Sequence, residues 1–109
     1  MKIYISGKIT GATDYMERFS QAQQTLEDMG HEVINPALVN SNLPTSTTWD
    51  EYMSLCYPMV DMCDGICMMN GWGDSRGARI ERLHAIKGGK KLMELVELGN
   101  NEYYLMVEK

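Results

Sequence analysis

Asp64-Gly-Ile-Cys-Met-Met-Asn70, Gly71-Trp-Gly-Asp-Ser75 and Arg76-Gly-Ala-Arg-Ile-Glu-Arg82 form the stretch that decides the fold. Gly65 to Met69 is a continuous apolar run of strand length, the pattern of a strand buried on both faces. The glycine-rich, polar piece from Asn70 to Ser75 reads as a loop. From about Ser75 to Lys87 the spacing turns helical, with Ala78, Glu81 and Ala85 on one stripe, and Gly88-Gly89 ends it. Ser75 and Gly77 fall where backbone N–H groups at a helix start can hold an anion. Glu81 follows about one turn in, and the small residues beside it leave space around its carboxylate. A strand, a glycine loop and a helix carrying one carboxylate make a ligand-site layout. In open α/β sheets such sites lie beyond the carboxyl ends of strands.

Working outward, Lys2-Ile-Tyr-Ile-Ser6 is rich in β-formers and predicts a first strand. Gly7-Lys-Ile-Thr-Gly11 breaks it, and its two glycines allow a tight turn and close approach by a ligand. The Gly-Lys-Ser/Thr ending of a P-loop is missing. Asp14 is a candidate cap for a helix whose buried face is Tyr15, Phe19, Ala22, Leu26 and Met29, stopped by Gly30. His31 to Asn35 predicts a second strand, stopped by Pro36. Residues 36–48 have no periodicity and read as a long loop, placed to act as a lid or specificity element. Thr48 caps a second helix along Trp49, Tyr52, Met53, Cys56, Met59, Val60 and Cys63, and Pro58 predicts a kink or break near Tyr57. Lys91 to Leu98 and Glu102 to Val107 are strand candidates around a Gly99-Asn-Asn101 turn, either as a hairpin or as separate sheet strands.

Strands alternate with helices over the first ninety or so residues. This predicts one domain over residues 1–109, a flavodoxin-like or Rossmann-like three-layer sandwich with a mostly parallel four- or five-stranded sheet. Loops 7–13 and 70–76 then meet at the topological switch point.

The net charge of −5 speaks against a nucleic-acid polymer as partner, which calls for a basic face. It leaves room for a small anion held locally. The chain runs straight into a strand, with no signal peptide and no membrane span, so a cytoplasmic location is expected. Cys56, Cys63 and Cys67 include no Cys-x-x-Cys pair, which argues against a disulfide framework or a zinc knuckle.

A lone glutamate in a pocket of backbone donors and small residues suits nucleophilic attack on the anomeric carbon of a sugar, and the helix start would help keep it ionised. The alternative is a solvated helix glutamate paired with Arg79 or Arg82. Asp64, at a helix–strand junction, is a second candidate carboxylate, and His84 follows on the same helix as Glu81.

Tyr4-Ile-Ser-Gly-Lys-Ile-Thr-Gly11, Cys63-Asp64, Trp72-Gly-Asp-Ser75, Gly77-Ala78 and Glu81 stand in order over roughly residues 2 to 90. This arrangement resembles the nucleoside 2-deoxyribosyltransferase-like superfamily, more closely a branch of small bacterial and phage proteins, and is similar to the 2′-deoxynucleoside 5′-phosphate N-hydrolases. The resemblance implies that Glu81 attacks C1′ of a 2′-deoxynucleoside or its 5′-monophosphate, with Asp64 as a second catalytic group. It implies that Ser75 and Gly77 bind the 5′-phosphate. Ser6, Gly7, Lys8, Ile9 and Gly11, with Trp72, would line the nucleotide site. It further implies no metal or organic cofactor, a small-molecule nucleoside or nucleotide as partner, and a homodimer or larger assembly whose neighbouring subunit completes the site. Two positions depart from the pattern. The acidic residue that orients substrate and base falls near Cys56, and Asp50, Glu51 and Asp61 do not fit its place. A histidine that some hydrolases carry after the second strand is replaced by Pro36-Ala37. The expected function is N-glycosidic cleavage or deoxyribosyl transfer. A non-catalytic nucleotide-binding module on the same scaffold is the alternative, and a purely partner-binding protein leaves the two glycine loops unexplained.

Overall fold

The structure is a computed structural model and describes residues 1–108. Its elements run β1 (Lys2–Ser6), α1 (Tyr15–Asp28), β2 (Glu32–Ile34), α2 (Pro36–Val39), α3 (Trp49–Asp61), β3 (Gly65–Met68), α4 (Arg76–Lys87), β4 (Lys91–Gly99) and β5 (Glu102–Val107). They build one five-stranded sheet in the order β2-β1-β3-β4-β5. The first four strands are parallel, and β5 returns antiparallel along β4. This is the doubly wound order in which β1 and β3 flank the switch point.

The strand period of two sorts the core into two layers. Ile3 and Ile5 of β1, Cys67 and Met69 beside them, and Met93 and Leu95 of β4 pack against Phe19, Ala22 and Leu26 of α1. Tyr4, Ile66 and Met68 point the other way, against Cys56, Met59 and Val60 of α3 and Ala78 and Ala85 of α4. The undecided C-terminal pair is therefore both things at once: β4 is a sheet strand, and β4–β5 is a hairpin. Its two-residue loop places Asn100 and Asn101 at φ 50° and 61°, the left-handed conformation that favours asparagine in such turns.

Four local expectations change. Residues 36–48 are not structureless: α2 is followed by a 3₁₀ turn at Asn40–Asn42. Asn35 caps α2 by accepting from the Leu38 N–H, and Pro36 occupies the first turn, where its missing N–H is not needed. The helix α3 runs through Pro58 to Asp61. Pro58 lies one turn from the end, so one carbonyl loses its partner while Met53, Cys56, Met59 and Val60 stay buried. Thr48 does cap this helix, in a reciprocal box with Glu51. Asp14 sits at the start of α1 but its side chain makes no capping bond. Met29 lies beyond the last turn of α1 and is exposed rather than part of the buried face.

Candidate functional site

Glu81 lies on the face of α4 turned toward the sheet, and its residue is only 6% exposed. Tyr4 and Ser6 share one side of β1 because they are two residues apart, and both hydroxyls reach it. The Tyr4 hydroxyl donates to Oε2, and the Ser6 hydroxyl donates to Oε1 at 2.7 Å. The Cys56 thiol of α3 also lies against this carboxylate.

Burial pushes the Glu81 carboxyl above the ordinary carboxylate range, while the bonds from Tyr4, Ser6 and Cys56 pull the other way without cancelling it. The expected help from the helix start is outweighed by this desolvation. Burial, then the charge of Glu81, raises the Tyr4 hydroxyl as well. The same two causes push Cys56 up to about 12. Tyr4 and Cys56 are thus held protonated, as hydrogen-bond donors. Among the described residues Glu81 makes no ion pair, because Arg82 pairs with Glu108 at 2.9 Å and Arg79 donates to the Gly73 carbonyl.

The carboxylate borders a cavity of about 540 Å³. The loop after β1 forms one side with Gly7, Lys8, Ile9 and Thr10. The start of α4 forms another with Ser75, Arg76 and Gly77. The two glycine loops do meet. Gly7 is packed so closely on Met69 that an added Cβ would stand 3.0 Å from its Cβ and Sδ. At the start of α4, the Ser75 hydroxyl accepts from the Ala78 N–H at 3.2 Å. The amides of Arg76 and Gly77, in the first turn, have no acceptor within the helix. The Arg76 guanidinium lies 4.5 Å over the Trp49 ring.

Of the residues singled out in the sequence, Ser6, Gly7, Lys8, Ile9, Ser75, Gly77 and Glu81 line the cavity. Three do not. Gly11 has φ +79° and serves the turn behind the lining residues. Trp72 packs on the core beside α4, under the Arg82 guanidinium at 5.3 Å. Asp64 precedes β3, so it stands at the amino end of the sheet, where its carboxylate accepts from the Lys2 N–H at 2.8 Å. That is one strand length from Glu81, and it takes Asp64 out of the candidate site. His84 is also elsewhere, bonded to Asp61 at 2.7 Å. Sequence reasoning missed Tyr4 and Asn40. The i, i+2 relation of Tyr4 to Ser6 was a signal for the first, and Asn35-Pro36 was one for the short helix that carries Asn40. Among the described residues, no group of three or more His, Cys, Asp or Glu side chains is placed to hold a metal ion, and no helix is long and apolar enough to cross a membrane.

Residues 1–94 match the family model described as a domain of unknown function, DUF4406. The chain belongs to this family. A search of curated proteins finds no significant match. Among solved structures, the DUF4406 chain is similar to the 2-deoxyribosyltransferase of Bacillus psychrosaccharolyticus, with a TM-score of 0.70 and 19% identity over 86% of this chain and 71% of that one. It is also similar to the Clostridium botulinum CMP N-glycosidase BcmB, with a TM-score of 0.61 and 23% identity over 86% of this chain and 70% of that one. This DUF4406 domain shares the fold of these two proteins.

Proposed function

We propose that this chain cleaves or transfers the N-glycosidic bond of a nucleoside or its 5′-monophosphate, with Glu81 as the nucleophile. The observation that carries this reading is a single buried carboxylate, without an ion pair, held between two hydroxyls at the edge of a cavity. A buried carboxylate with no opposite charge beside it is costly to keep in a fold. Both similar structures belong to proteins named for chemistry on nucleosides or CMP.

In this reading a Glu81 oxygen bonds to C1′ as the C1′–N bond breaks, and the electron pair leaves with the base. Water or a second base then attacks C1′ and frees the carboxylate. Tyr4 and Ser6 fix its orientation and stabilise its charged form. The phosphate would lie at the start of α4, on the amides of Arg76 and Gly77 and the Ser75 hydroxyl, with Lys8 and Arg76 supplying positive charge.

One observation favours the second reading, a nucleotide-binding module. Cys56 stands where the resemblance places an acid, and Asp74, the other carboxylate lining the cavity, precedes Ser75 at the phosphate end. Chromatography of bases released from nucleoside 5′-monophosphates separates the two. Release that is lost in Glu81→Gln supports the enzyme. Binding with no release, at high enzyme concentration, favours the module. Equal release by the variant refutes Glu81 as nucleophile.

A further inference from the structure

The polar groups of the cavity divide by place. The hydroxyls of Tyr4 and Ser6 are taken up by Glu81. Ser75, Arg76 and Gly77 form the end suited to an anion. On the remaining side, toward α2 and its following turn, Ser41 donates its hydroxyl to the Leu38 carbonyl at 2.7 Å. The side-chain amide of Asn40 is left. Its backbone carbonyl is fixed by the Leu43 N–H at 3.1 Å, so the side chain projects from a braced turn. That amide lines the cavity together with Cys56, Tyr4 and Glu81. The cavity walls also include Phe19, Pro36 and Tyr52, flat or apolar surfaces suited to a planar ring.

Resting on the glycosidic reading above, we propose that Asn40 holds the nucleobase, its amide N–H donating to the acceptor atom next to the glycosidic nitrogen. Every natural base offers such an atom, O2 in a pyrimidine and N3 in a purine. Glu81 meets C1′, and this acceptor is three bonds from C1′. Asn40 and Glu81 line one cavity, so the two groups can address adjacent parts of one nucleotide. As the C1′–N bond breaks, its electron pair moves onto the base and charge builds at that atom. An amide there stabilises the charge without giving up a proton, and the departed base takes its proton from water. Asn40 does the work of the absent acid by hydrogen bonding.

The test uses the full chain with Asn40→Ala and the near-isosteric Asn40→Asp, which replaces the donor by an acceptor. Loss of one such donor lowers kcat by roughly 10²–10³-fold. The loss should be largest for thymine or uracil and smaller for 5-fluorouracil, which leaves more readily as an anion, and Asn40→Asp should be at least as poor as Asn40→Ala. Wild-type release with both variants within threefold, or an equal loss on every base, overturns the proposal and leaves the glycosidic reading standing. If wild type releases no base, titration with nucleoside 5′-monophosphates and with the base-free sugar phosphate decides the matter. A base-dependent gain in affinity that vanishes in Asn40→Asp keeps Asn40 as the base-holding residue while the catalytic reading falls. A gain that persists in the variant, or no base-dependent gain, removes Asn40 from the role.

Discussion

At the carboxyl end of β1 and β3, Glu81 sits inside the fold, hydrogen-bonded by two hydroxyls and facing a cavity. At the amino end of the same strands, Asp64 sits in the open and accepts from a backbone N–H. Both are single carboxylates beside the same parallel pair. Asp64 completes a strand start, which water could do almost as well. Glu81 is held against the preference of a charged group for water, and its raised affinity for protons records that opposition. The difference teaches that the carboxyl end of this sheet is arranged around a charge, whereas the amino end merely closes the fold.

The largest expected effect follows from removing that charge. Glu81→Gln should lower base release by at least about 10³-fold, as loss of a covalent nucleophile does, while the protein stays folded. The same substitution should flatten the stability–pH curve. An acid raised in the fold keeps its proton where the unfolded chain has already lost it. Stability therefore falls as pH rises from the ordinary carboxyl value through the raised one. In the proposed mechanism ionised Glu81 is the nucleophile, so release should climb over that window while thermal stability drops. Parallel kinetics and melting measured across pH check this crossing; two curves that rise together would break the contrast between the ends.

The next effect is on the hydroxyls. Tyr4→Phe removes a donor to the charged form, and a bond of that kind contributes about 1.5–3 kcal/mol, so kcat should fall roughly 10- to 100-fold. The pH at which activity rises should shift upward. An unshifted profile would mean that Tyr4 does not tune Glu81.

The two ends also each hold a tight glycine, which sharpens the comparison. An added Cβ at Gly7 would stand 3.0 Å from Met69 atoms, and one at Gly65 would stand 2.4 Å from Met93 Cε and 3.0 Å from the Lys91 carbonyl. Both alanine variants should lose about 1–3 kcal/mol of stability, the usual effect of overpacking. Only Gly7→Ala should also raise KM, because only it moves a loop lining the cavity. Calorimetry with steady-state kinetics on the two variants checks the split. The smallest effect belongs to Asp64→Asn, which should leave kcat within about twofold and lower stability by less than about 1 kcal/mol.

The fold was legible where one pattern had one physical cause. The apolar run Gly65 to Met69 has the length and pattern of a strand buried on both faces, and the alternation of strands and helices points to the parallel sheet. Ser75, Gly77 and Glu81 followed from helix geometry. The end of the strand was legible as well: Asp64 precedes β3 and so lies at its amino end, away from the switch point. The packing of Trp72 on the core rather than on the cavity was not. The direction of the Tyr4 side chain is written in its two-residue step from Ser6, which puts both on one face. Pro58 predicts a kink or a break by local sterics alone, and the buried apolar face of α3 carries the helix past it.

The central claim is tested most directly by incubating the purified chain with a panel of deoxyribo- and ribonucleoside 5′-monophosphates and measuring free base by chromatography, beside Glu81→Gln. The account predicts release from at least one nucleotide by the wild type and none above background by the variant. Release of the same base at the same rate by Glu81→Gln, or no release from any nucleotide by the wild type, would contradict it.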